Sequence, residues 1–377
     1  MLFLGAALRG ATPPAPQPAA GPVANPAGFV IHRGVNLSHW FSQCDGWGAR
    51  QRFITEKDIG FIAGLGYDHV RLPVDEIELW RSDGTPDEAA FALLQRALDW
   101  CRASGLRVIV DLHTVRAHHF NAANEGRTNT LWSDPRAQDG FLRLWRELSA
   151  RLRERPVSQV AYEILNEPVA EDHEDWNRLV AATLKQIRAA EPSRVVVIGS
   201  NRWQIPSTLP FLKVPAGDKN IILSTHTYSP LVLTHHLAEW TPLKSYTGPV
   251  HYPGRPIARE VFANFMASGD HSLTDLVGNA GEEWNRERIV RELEPAIRRA
   301  HELNLQLYCG EFGCLPTVPR ADRLAYYSDM VTALESTGMA WANWEFKGDF
   351  GILEWQAATH TVGAPDRELI HALLGPR

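Results

Sequence analysis

Short apolar runs and longer amphipathic segments alternate along the chain from Phe29 to its end. The short runs are rich in Val, Ile and Leu and lack a polar face, which is typical of buried strands. In the longer segments apolar residues recur every three or four positions, which is typical of helices that cover a core. Eight runs predict strands at Val30–Asn36, His69–Leu72, Arg107–Leu112, Val160–Leu165, Arg194–Gly199, Asn220–Thr225, Leu305–Gly310 and Met339–Trp344.

Helices are predicted between and after these strands, at Thr55–Ala63, Asp87–Ser104, Gln138–Glu154, Trp176–Ala190, Glu283–Leu303, Asp322–Ser336 and Asp366–Leu374. The fifth and sixth strands are joined only by a turn near Pro206–Leu212. The alternation favours parallel βα units over an antiparallel sandwich. Eight such strands in one chain predict a single (β/α)8 TIM barrel of the α/β class, whose active site lies at the carboxyl ends of the strands.

One connection, Thr227–Glu282 after the sixth strand, is far longer than a typical βα loop. It contains aromatic residues and scattered prolines, so we expect an ordered insertion on the catalytic face. Two interpretations stay open at this point. The insertion either forms one wall of a substrate groove or only covers the barrel.

The amino-terminal residues 1–28 are predicted to lie outside the barrel, which would then span residues 29–377. A short apolar run, Leu2–Leu8, precedes a segment rich in Pro and Ala, the composition of an extended linker. The run lacks the basic residues that precede a signal peptide's apolar core, so it resembles either the remnant of a secretion signal or a misplaced start. We expect a secreted or periplasmic protein without a membrane span.

The composition is that of a folded protein with a neutral or weakly charged partner. Hydrophobic residues make up 44% of the 377 positions and the formal net charge is -6, which gives no electrostatic footprint for nucleic acid. The four cysteines lack zinc-site spacing and allow at most two disulfides, whose pairing the sequence does not assign: Cys44, Cys101, Cys309 and Cys314. Neither His118–His119 nor His235–His236 has a carboxylate pattern typical of a metal site, so no metal or cofactor is predicted. A monomer is expected.

Polar side chains stand at nearly every predicted strand end, where a barrel enzyme carries its chemistry. The fourth strand leads into Asn166 and Glu167, and the seventh delivers Glu311. The other candidates at strand ends are Asn36, Arg71, His113, His226, Tyr228 and Trp344. Two carboxylates held on rigid strand ends are what acid-assisted cleavage of a glycosidic bond requires.

Seven short motifs at these ends occur in order: Arg33–Asn36 (RGVN), Val70–Pro73 (VRLP), Asp111–His113 (DLH), Asn166–Pro168 (NEP), His226–Tyr228 (HTY), Gly310–Gly313 (GEFG) and Trp344–Glu345 (WE). Together they resemble the motifs of glycoside hydrolase family 5, the cellulase family of retaining barrel enzymes, and they cover the chain from about Phe29 to its end. The resemblance implies a retaining β-glycosidase with Glu167 as acid/base and Glu311 as nucleophile.

Physical chemistry supports the same pair. Retaining cleavage needs two carboxyl groups about 5 to 5.5 Å apart, and strands four and seven face each other across a barrel. The acid needs a raised pKa and the nucleophile a low one. We expect Arg71 and Tyr228 to lower the pKa of Glu311, because a cation and a hydroxyl hydrogen bond both favour the ionised carboxylate.

The remaining rim residues are expected to bind or to support. Asn166 should face the sugar 2-hydroxyl, and His113 and His226 should bind hydroxyls or orient the carboxylates. Trp344 is the candidate floor for the sugar ring, and the candidates for outer sugar subsites are Trp132, Trp203, Trp240 and Trp355. Three further acids are expected to be structural: Asp111 paired with Arg71, Glu163 in a deep ion pair, and Glu345 facing the helix layer or a loop.

The leading functional hypothesis is a retaining endo-β-1,4-glucanase that hydrolyses a cellulose-like β-linked polysaccharide. β-Mannanase, xyloglucanase and exo-β-glucosidase or β-1,3-glucanase of the same family share this rim and remain alternatives. A metal-dependent barrel hydrolase would need a His-x-His at the end of strand one, where the chain has Val35–Ser38. A sugar-binding protein with an inactive barrel would not need both glutamates.

Overall fold

A computed structural model describes residues 25–44, 49–121, 129–269, 274, 276–356 and 361–376. Eight parallel strands form a closed barrel in sequence order, with β1 paired to both β2 and β8. They are β1 Arg33–Asn36, β2 His69–Asp75, β3 Arg107–Thr114, β4 Val160–Glu163, β5 Val196–Gly199, β6 Ile221–His226, β7 Gln306–Glu311 and β8 Ala340–Asn343. The (β/α)8 barrel predicted from the sequence is confirmed.

Helices surround the barrel: α1 Arg50–Phe53, α2 Glu56–Gly64, α3 Glu76–Leu79, α4 Glu88–Ala103, α5 Pro135–Leu152, α6 His173–Ala190, α7 Leu231–Thr234, α8 Arg259–Ala267, α9 Arg286–Leu303, α10 Arg320–Ser336 and α11 Arg367–Leu374. Between β5 and β6 lies a 3₁₀ helix, Pro206–Phe211, where only a turn was expected. Two further 3₁₀ helices span Pro242–Ser245 and Gly278–Gly281, and a two-stranded antiparallel sheet pairs β9 Leu353–Gln356 with β10 Thr361–Pro365.

Side-chain alternation along the strands divides the molecule into layers. On β3, Val108 and Val110 pack outward in the main core against the helices, whereas Ile109 belongs to a separate cluster with residues of the other strands. That inner cluster contains Phe29, Ile31, Ala161, Val197, Ile222, Tyr308 and Ala342 and fills the amino-terminal end of the barrel. The next inward residue of β3 is Asp111, so the barrel interior becomes polar toward the carboxyl ends of the strands.

All eight strands differ from their predicted bounds by one to three residues at one end or both, and three of these differences bear on the site. β1 starts at Arg33 rather than Val30, because Phe29 and Ile31 pack into the inner cluster instead of extending the ladder. β2 continues through Pro73 to Asp75, and the β1 ladder ends at Arg71, so the proline has no β1 partner to lose. β4 ends at Glu163 rather than Leu165, which places Glu167 in the following loop.

The long connection after β6 is folded in its described part and packs on the barrel. It contains α7, α8 and two of the 3₁₀ helices, and it buries apolar residues such as Leu233 and Val250. The hydroxyl of Tyr252 donates to Asp329 on α10 at 2.9 Å, and the amide of Leu315 donates to the Thr234 carbonyl. The insertion therefore covers the barrel next to β7, and its aromatic side chains also reach the catalytic face.

None of the four cysteines is joined in a disulfide, and Cys101, Cys309 and Cys314 are buried. The predicted leader and most of the Pro/Ala-rich linker, residues 1–24, lie outside the described residues. In the described part of the chain, no helix combines the length and apolar character needed to cross a membrane.

Candidate active site

Arg71 is the centre of the polar cluster at the carboxyl end of the barrel. Its guanidinium is fully buried and contacts three carboxylates: Glu163 at 2.7 Å, Asp111 at 2.9 Å and Glu311 at 2.6 Å. It also donates to the amide oxygens of Asn36 at 3.1 Å and Asn166 at 2.9 Å. The expected pairings of Arg71 with Asp111, and of Glu163 in a deep ion pair, are confirmed.

Glu311 ends β7, and both of its carboxylate oxygens have partners. Oε1 accepts from Arg71 Nη1 at 2.6 Å, and Oε2 accepts from the hydroxyl of Tyr228 at 2.9 Å. Its backbone carbonyl accepts from the Thr227 amide, which ties the ends of β6 and β7 together. These bonds hold the carboxylate in one orientation, with 5% of the residue exposed to solvent.

Glu167 lies four residues beyond β4, in a backbone conformation that non-glycine residues rarely adopt. Its φ angle is 42°, in the left-handed region, which costs roughly 1–3 kcal/mol and is maintained only by the surroundings. The amide of Glu167 donates to Gln204 Oε1 at 2.8 Å. Its carboxylate contacts His226 Nδ1 at 2.9 Å. This turn brings Glu167 back over the barrel although the strand itself ends at Glu163.

The two glutamates meet at the mouth of the barrel. One oxygen of Glu167, one of Glu311 and a ring nitrogen of His226 all lie within 4.8 Å of one another. Burial and the negative charge of Glu311 raise the pKa of Glu167 well above its ordinary value. Burial also raises the pKa of Glu311, but Arg71 and the hydroxyl of Tyr228 act against that rise.

The expected lowering of the Glu311 pKa by Arg71 and by the Tyr228 hydroxyl is confirmed. The expected low net pKa is wrong, because removing this carboxylate from water outweighs both contacts. The difference between the two acids runs in the expected direction. In the described part of the chain no lysine or arginine contacts the carboxylate of Glu167. Burial and the charge of Arg71 hold the pKa of His226 well below its usual value. A neutral imidazole does little to favour the ionised form of Glu167, whereas Arg71 favours the ionised form of Glu311.

His113 lies between the acids and the aromatic floor. Its Nδ1 contacts Asp111 at 2.7 Å, so this nitrogen carries the hydrogen and Nε2 faces the site as an acceptor. Burial lowers the pKa of His113 to about 4, which keeps the ring neutral. Its plane stacks on Trp344 with the ring centroids 5.6 Å apart. Asn36 instead points away from the opening, since its amide donates to the carbonyl of Gly310 at 2.9 Å.

The sequence left open whether Glu345 faces the helix layer or a loop. In the structure it follows Trp344 and faces a loop. Its fully buried carboxylate lies 3.2 Å from His39 Nε2, in the loop after β1. The other ring nitrogen of His39 lies 2.9 Å from the carbonyl of Gln43, an acceptor, so both nitrogens face acceptors. The contact with Glu345 raises the pKa of His39 against the effect of burial. This pair fixes the backbone beside Trp344.

Sequence reasoning missed Gln204, His39 and Gln43. Gln43 reaches toward His113, with its amide nitrogen 3.4 Å from Nε2. All three residues have positive φ angles without being glycine, and they lie in loops rather than at strand ends. A prediction that places chemistry only at strand ends cannot find them. No local signal, such as a glycine, asparagine or aspartate at these positions, marks the left-handed turns.

The aromatic candidates for outer subsites differ in exposure. Trp203 is 39% exposed and Trp240 43% exposed, and both lie on the catalytic face. Trp203 donates its indole hydrogen to the Phe120 carbonyl at 3.0 Å, which fixes the plane of the ring. Trp132 is partly buried, and the side chain of Trp355 lies outside the described residues.

Among the described residues, Glu167, His226 and Glu311 form a group of potential metal ligands with suitable spacing. Arg71 and Tyr228 already occupy both oxygens of Glu311, and the guanidinium charge opposes a cation there. In the two histidine pairs, His118–His119 and His235–His236, ring nitrogens contact backbone groups away from the two glutamates. His118 Nε2 accepts from the Val169 amide, and His236 lies 3.0 Å from the Gly248 carbonyl.

Comparison with known sequences gives consistent matches. Residues 24–349 match the family model described as Cellulase (glycosyl hydrolase family 5). Endoglucanase C of Acetivibrio thermocellus is 33% identical over 326 residues, covering 85% of this chain and 92% of the relative. Cellodextrinase A of Ruminococcus flavefaciens is 29% identical over 302 residues, covering 79% of this chain and 80% of the relative.

Solved structures share the fold over nearly the whole chain. An endoglucanase structure superposes with a TM-score of 0.72 at 25% identity and covers 93% of this chain and 99% of its own. Thermotoga maritima Cel5A, solved in complex with cellobiose, has a TM-score of 0.71 at 24% identity and covers 92% of this chain and 98% of its own.

Proposed function

Because the chain belongs to the cellulase family, glycosyl hydrolase family 5, and is a glycoside hydrolase, we propose that it is a retaining endo-β-1,4-glucanase. Glu167 is the acid/base and Glu311 the nucleophile. The observation that carries the proposal is the pair of buried carboxylates whose oxygens approach within 4.8 Å. Retaining enzymes hold their carboxyl groups about 5 to 5.5 Å apart, whereas inverting enzymes leave about 6.5 to 9.5 Å for a water molecule.

The unequal surroundings of the two acids support their assignment. Arg71 and Tyr228 stabilise Glu311 as a carboxylate that can attack the anomeric carbon. Glu167 holds the proton and donates it to the glycosidic oxygen as the bond to the leaving sugar breaks. The electron pair of that bond moves onto the departing oxygen, and a glycosyl ester forms on Glu311.

The second step follows from the loss of charge on Glu311. In the ester Glu311 is neutral, so one of the causes that raise the pKa of Glu167 disappears. Glu167, now ionised after donating its proton, takes a proton from water, and the resulting oxygen nucleophile attacks the anomeric carbon. The ester bond breaks, Glu311 leaves as a carboxylate beside Arg71, and the product keeps the β configuration.

Other rim residues bind the sugar or position the acids in this proposal. The amide nitrogen of Asn166 and Nε2 of His113 lie 3.5 Å apart and serve as donor and acceptor for ring hydroxyls. Trp344 supplies the apolar floor, backed by His113. His226 orients Glu167, and Asn36 supports Arg71.

The polymer is proposed from the relatives. Endoglucanase C and Cellodextrinase A carry names that point to β-1,4-glucan. A Glucan 1,3-beta-glucosidase of Blumeria graminis is 28% identical over 192 residues, and a Cel5A structure was solved with mannotriose, so β-1,3-glucan and mannan are the alternative substrates. Secretion and a monomeric state also remain proposals.

A polysaccharide panel tests the function. The enzyme is incubated with carboxymethyl cellulose, glucomannan, xyloglucan and laminarin, reducing ends are measured, and products are sized. We expect release from carboxymethyl cellulose with a rapid fall in chain length and with no loss of activity in EDTA. Glu167→Gln and Glu311→Gln should each lack this activity. Preference for laminarin, or release of glucose alone, would overturn the endo-β-1,4 assignment.

A further inference from the structure

Gln204 connects the two proposed catalytic acids, although no sequence motif includes it. It lies in the loop between β5 and the 3₁₀ helix Pro206–Phe211 and is completely buried. Its side-chain oxygen accepts from the amide of Glu167 at 2.8 Å, and its side-chain nitrogen donates to Glu163 Oε1 at 3.2 Å. These partners fix the orientation of the amide, since an N–H requires an acceptor and a carboxylate requires a donor.

The bond from Gln204 to Glu163 continues through Arg71 to the other proposed catalytic acid, Glu311. Glu163 Oε2 accepts from Arg71 Nε at 2.7 Å, and Arg71 Nη1 donates to Glu311 at 2.6 Å. The backbone of Glu167 is therefore linked to the carboxylate of Glu311 by four successive bonds through buried groups. The side-chain amide of Gln204 is the one neutral group in this link.

The backbone of Gln204 is held as firmly as its side chain. Its φ angle is 54° and follows two further left-handed residues, Arg202 and Trp203. Its carbonyl accepts from the amide of His226 at 2.9 Å and from the hydroxyl of Thr225 at 2.6 Å. Gln204 is thus anchored to β6, next to the imidazole that contacts the carboxylate of Glu167.

The neighbouring strand leaves room for this amide. A Cβ atom on Gly199, the last residue of β5, would lie 1.9 Å from the side-chain nitrogen of Gln204. Glycine at this position lets the amide reach Glu163. Nothing else in the described loop supplies an acceptor for the amide of Glu167, which is buried and held in a left-handed conformation.

We propose that Gln204 is a positioning residue that holds Glu167 where it can protonate the leaving oxygen. The proposal rests on the proposed function, because it assumes that Glu167 is the acid. Loss of the Gln204 side chain would free the Glu167 backbone to leave its left-handed conformation, and the carboxyl group would move off the glycosidic oxygen. A misplacement of about 1 Å in such a group lowers the rate about a hundredfold.

Leaving-group dependence tests the proposal. In Gln204→Leu, kcat/KM is measured with 2,4-dinitrophenyl β-cellobioside, whose leaving group needs no proton, and with phenyl β-cellobioside, whose leaving group does. We expect a loss of about ten- to a hundredfold for the phenyl substrate and less than about threefold for the dinitrophenyl substrate. Equal losses for both substrates would overturn the proposal, since they would place the defect at the nucleophile or in the general fold.

A second variant displaces the side-chain amide of Gln204 without removing it. Gly199→Ala should displace the Gln204 side chain and produce the same selective loss. The matched control is Gln306→Leu, which removes another buried glutamine whose amide donates to the Ile31 carbonyl at the opposite end of the barrel. It should leave both kcat/KM values within about threefold of wild type. If Gln204→Leu does not fold, the result with Gly199→Ala decides.

A double variant separates this proposal from the function on which it rests. In Glu167→Ala, the acid is absent, so adding Gln204→Leu should change kcat/KM for the phenyl substrate by less than about threefold. A full further loss in the double variant would overturn the positioning role. If Glu167→Ala itself showed no selective loss for the phenyl substrate, the assignment of the acid would fail instead.

Discussion

At the scale of single residues, the site is organised by how each carboxylate is compensated. The carboxylate of Glu311 has a cation and a hydroxyl in contact, whereas the carboxylate of Glu167 contacts the neutral imidazole of His226. Both acids are buried, so each pays a desolvation cost when ionised. The contacts therefore decide which acid gives up its proton first.

The hydroxyl of Tyr228 is predicted to set the acidic limb of the pH profile. In Tyr228→Phe, Glu311 loses the hydrogen bond that lowers its pKa, so its pKa rises. As the proposed nucleophile, Glu311 has to be ionised to attack, so activity should be lost at a higher pH as the solution is acidified, with kcat lowered about tenfold. The pH dependence of kcat/KM measures the limb.

The control for this experiment is Tyr246→Phe, which removes a hydroxyl that donates to the Pro249 carbonyl in the insertion. Its profile should match wild type. An acidic limb that stays in place in Tyr228→Phe would contradict the role of the hydroxyl.

The charge of Glu311 is predicted to raise the pKa of Glu167. In Glu311→Gln this charge is absent, so the pKa of Glu167 should fall, yet stay above the ordinary value because burial remains. A pH titration of ¹³C-labelled glutamate side chains by NMR, in wild type and variant, measures the change. An unchanged or higher pKa of Glu167 in the variant would show that the two acids are not coupled.

At the scale of elements, the amino-terminal end of the barrel carries stability rather than chemistry. Arg194, just before β5, is fully buried and bonds to Glu191 at 2.7 Å. Its guanidinium also donates to the backbone carbonyls of Val160 and Arg155. It thereby joins the end of α6 to the start of β4 and the loop after α5.

Arg194→Met is predicted to destabilise the fold by about 3–5 kcal/mol, because it leaves the carboxylate of Glu191 buried without its cation. Denaturant unfolding measures this change, and kcat/KM at 25 °C should stay within about twofold of wild type. Arg298→Met, which removes an exposed pair with Glu294, should change stability by less than about 1 kcal/mol. A change of similar size in both variants would refute the special role of Arg194.

The elements also show which features the sequence could predict. Long amphipathic helices are close to their predicted bounds, as in α6, which starts at His173 rather than Trp176 and ends at Ala190 as expected. α5 starts at Pro135 rather than Gln138, because Asp134 caps the helix and proline fits its first turn. These cap signals were present in the sequence, and apolar periodicity alone does not register them.

The limits of prediction lie in the loops. Strand ends indicated the nine candidate rim residues, and the structure brings them together around Arg71, the two glutamates and Trp344. The path of the chain after β4 was not predictable, because Glu167 returns to the site through a left-handed turn held by Gln204. That contact joins residues 37 positions apart, and no local pattern encodes it.

In the molecule as a whole, the residues that stabilise the fold and the residues of the candidate active site lie at opposite ends of the barrel axis. The apolar inner cluster closes one end, and the charged cluster around Arg71 opens at the other, beneath the aromatic residues of the insertion. The insertion approaches Glu311 through Tyr228, whose ring packs near Phe350 and His235. We expect this side of the cleft to influence which glycan is bound.

The central claim is that Glu311 forms a covalent bond to the sugar while Glu167 assists. The most direct measurement is to trap the enzyme with 2,4-dinitrophenyl 2-deoxy-2-fluoro-β-cellobioside and locate the adduct by peptide mass spectrometry. We expect one added fluoroglycosyl group, on the peptide that contains Glu311, in wild type and none in Glu311→Gln. An adduct on Glu167, or inactivation without any covalent adduct, would contradict it.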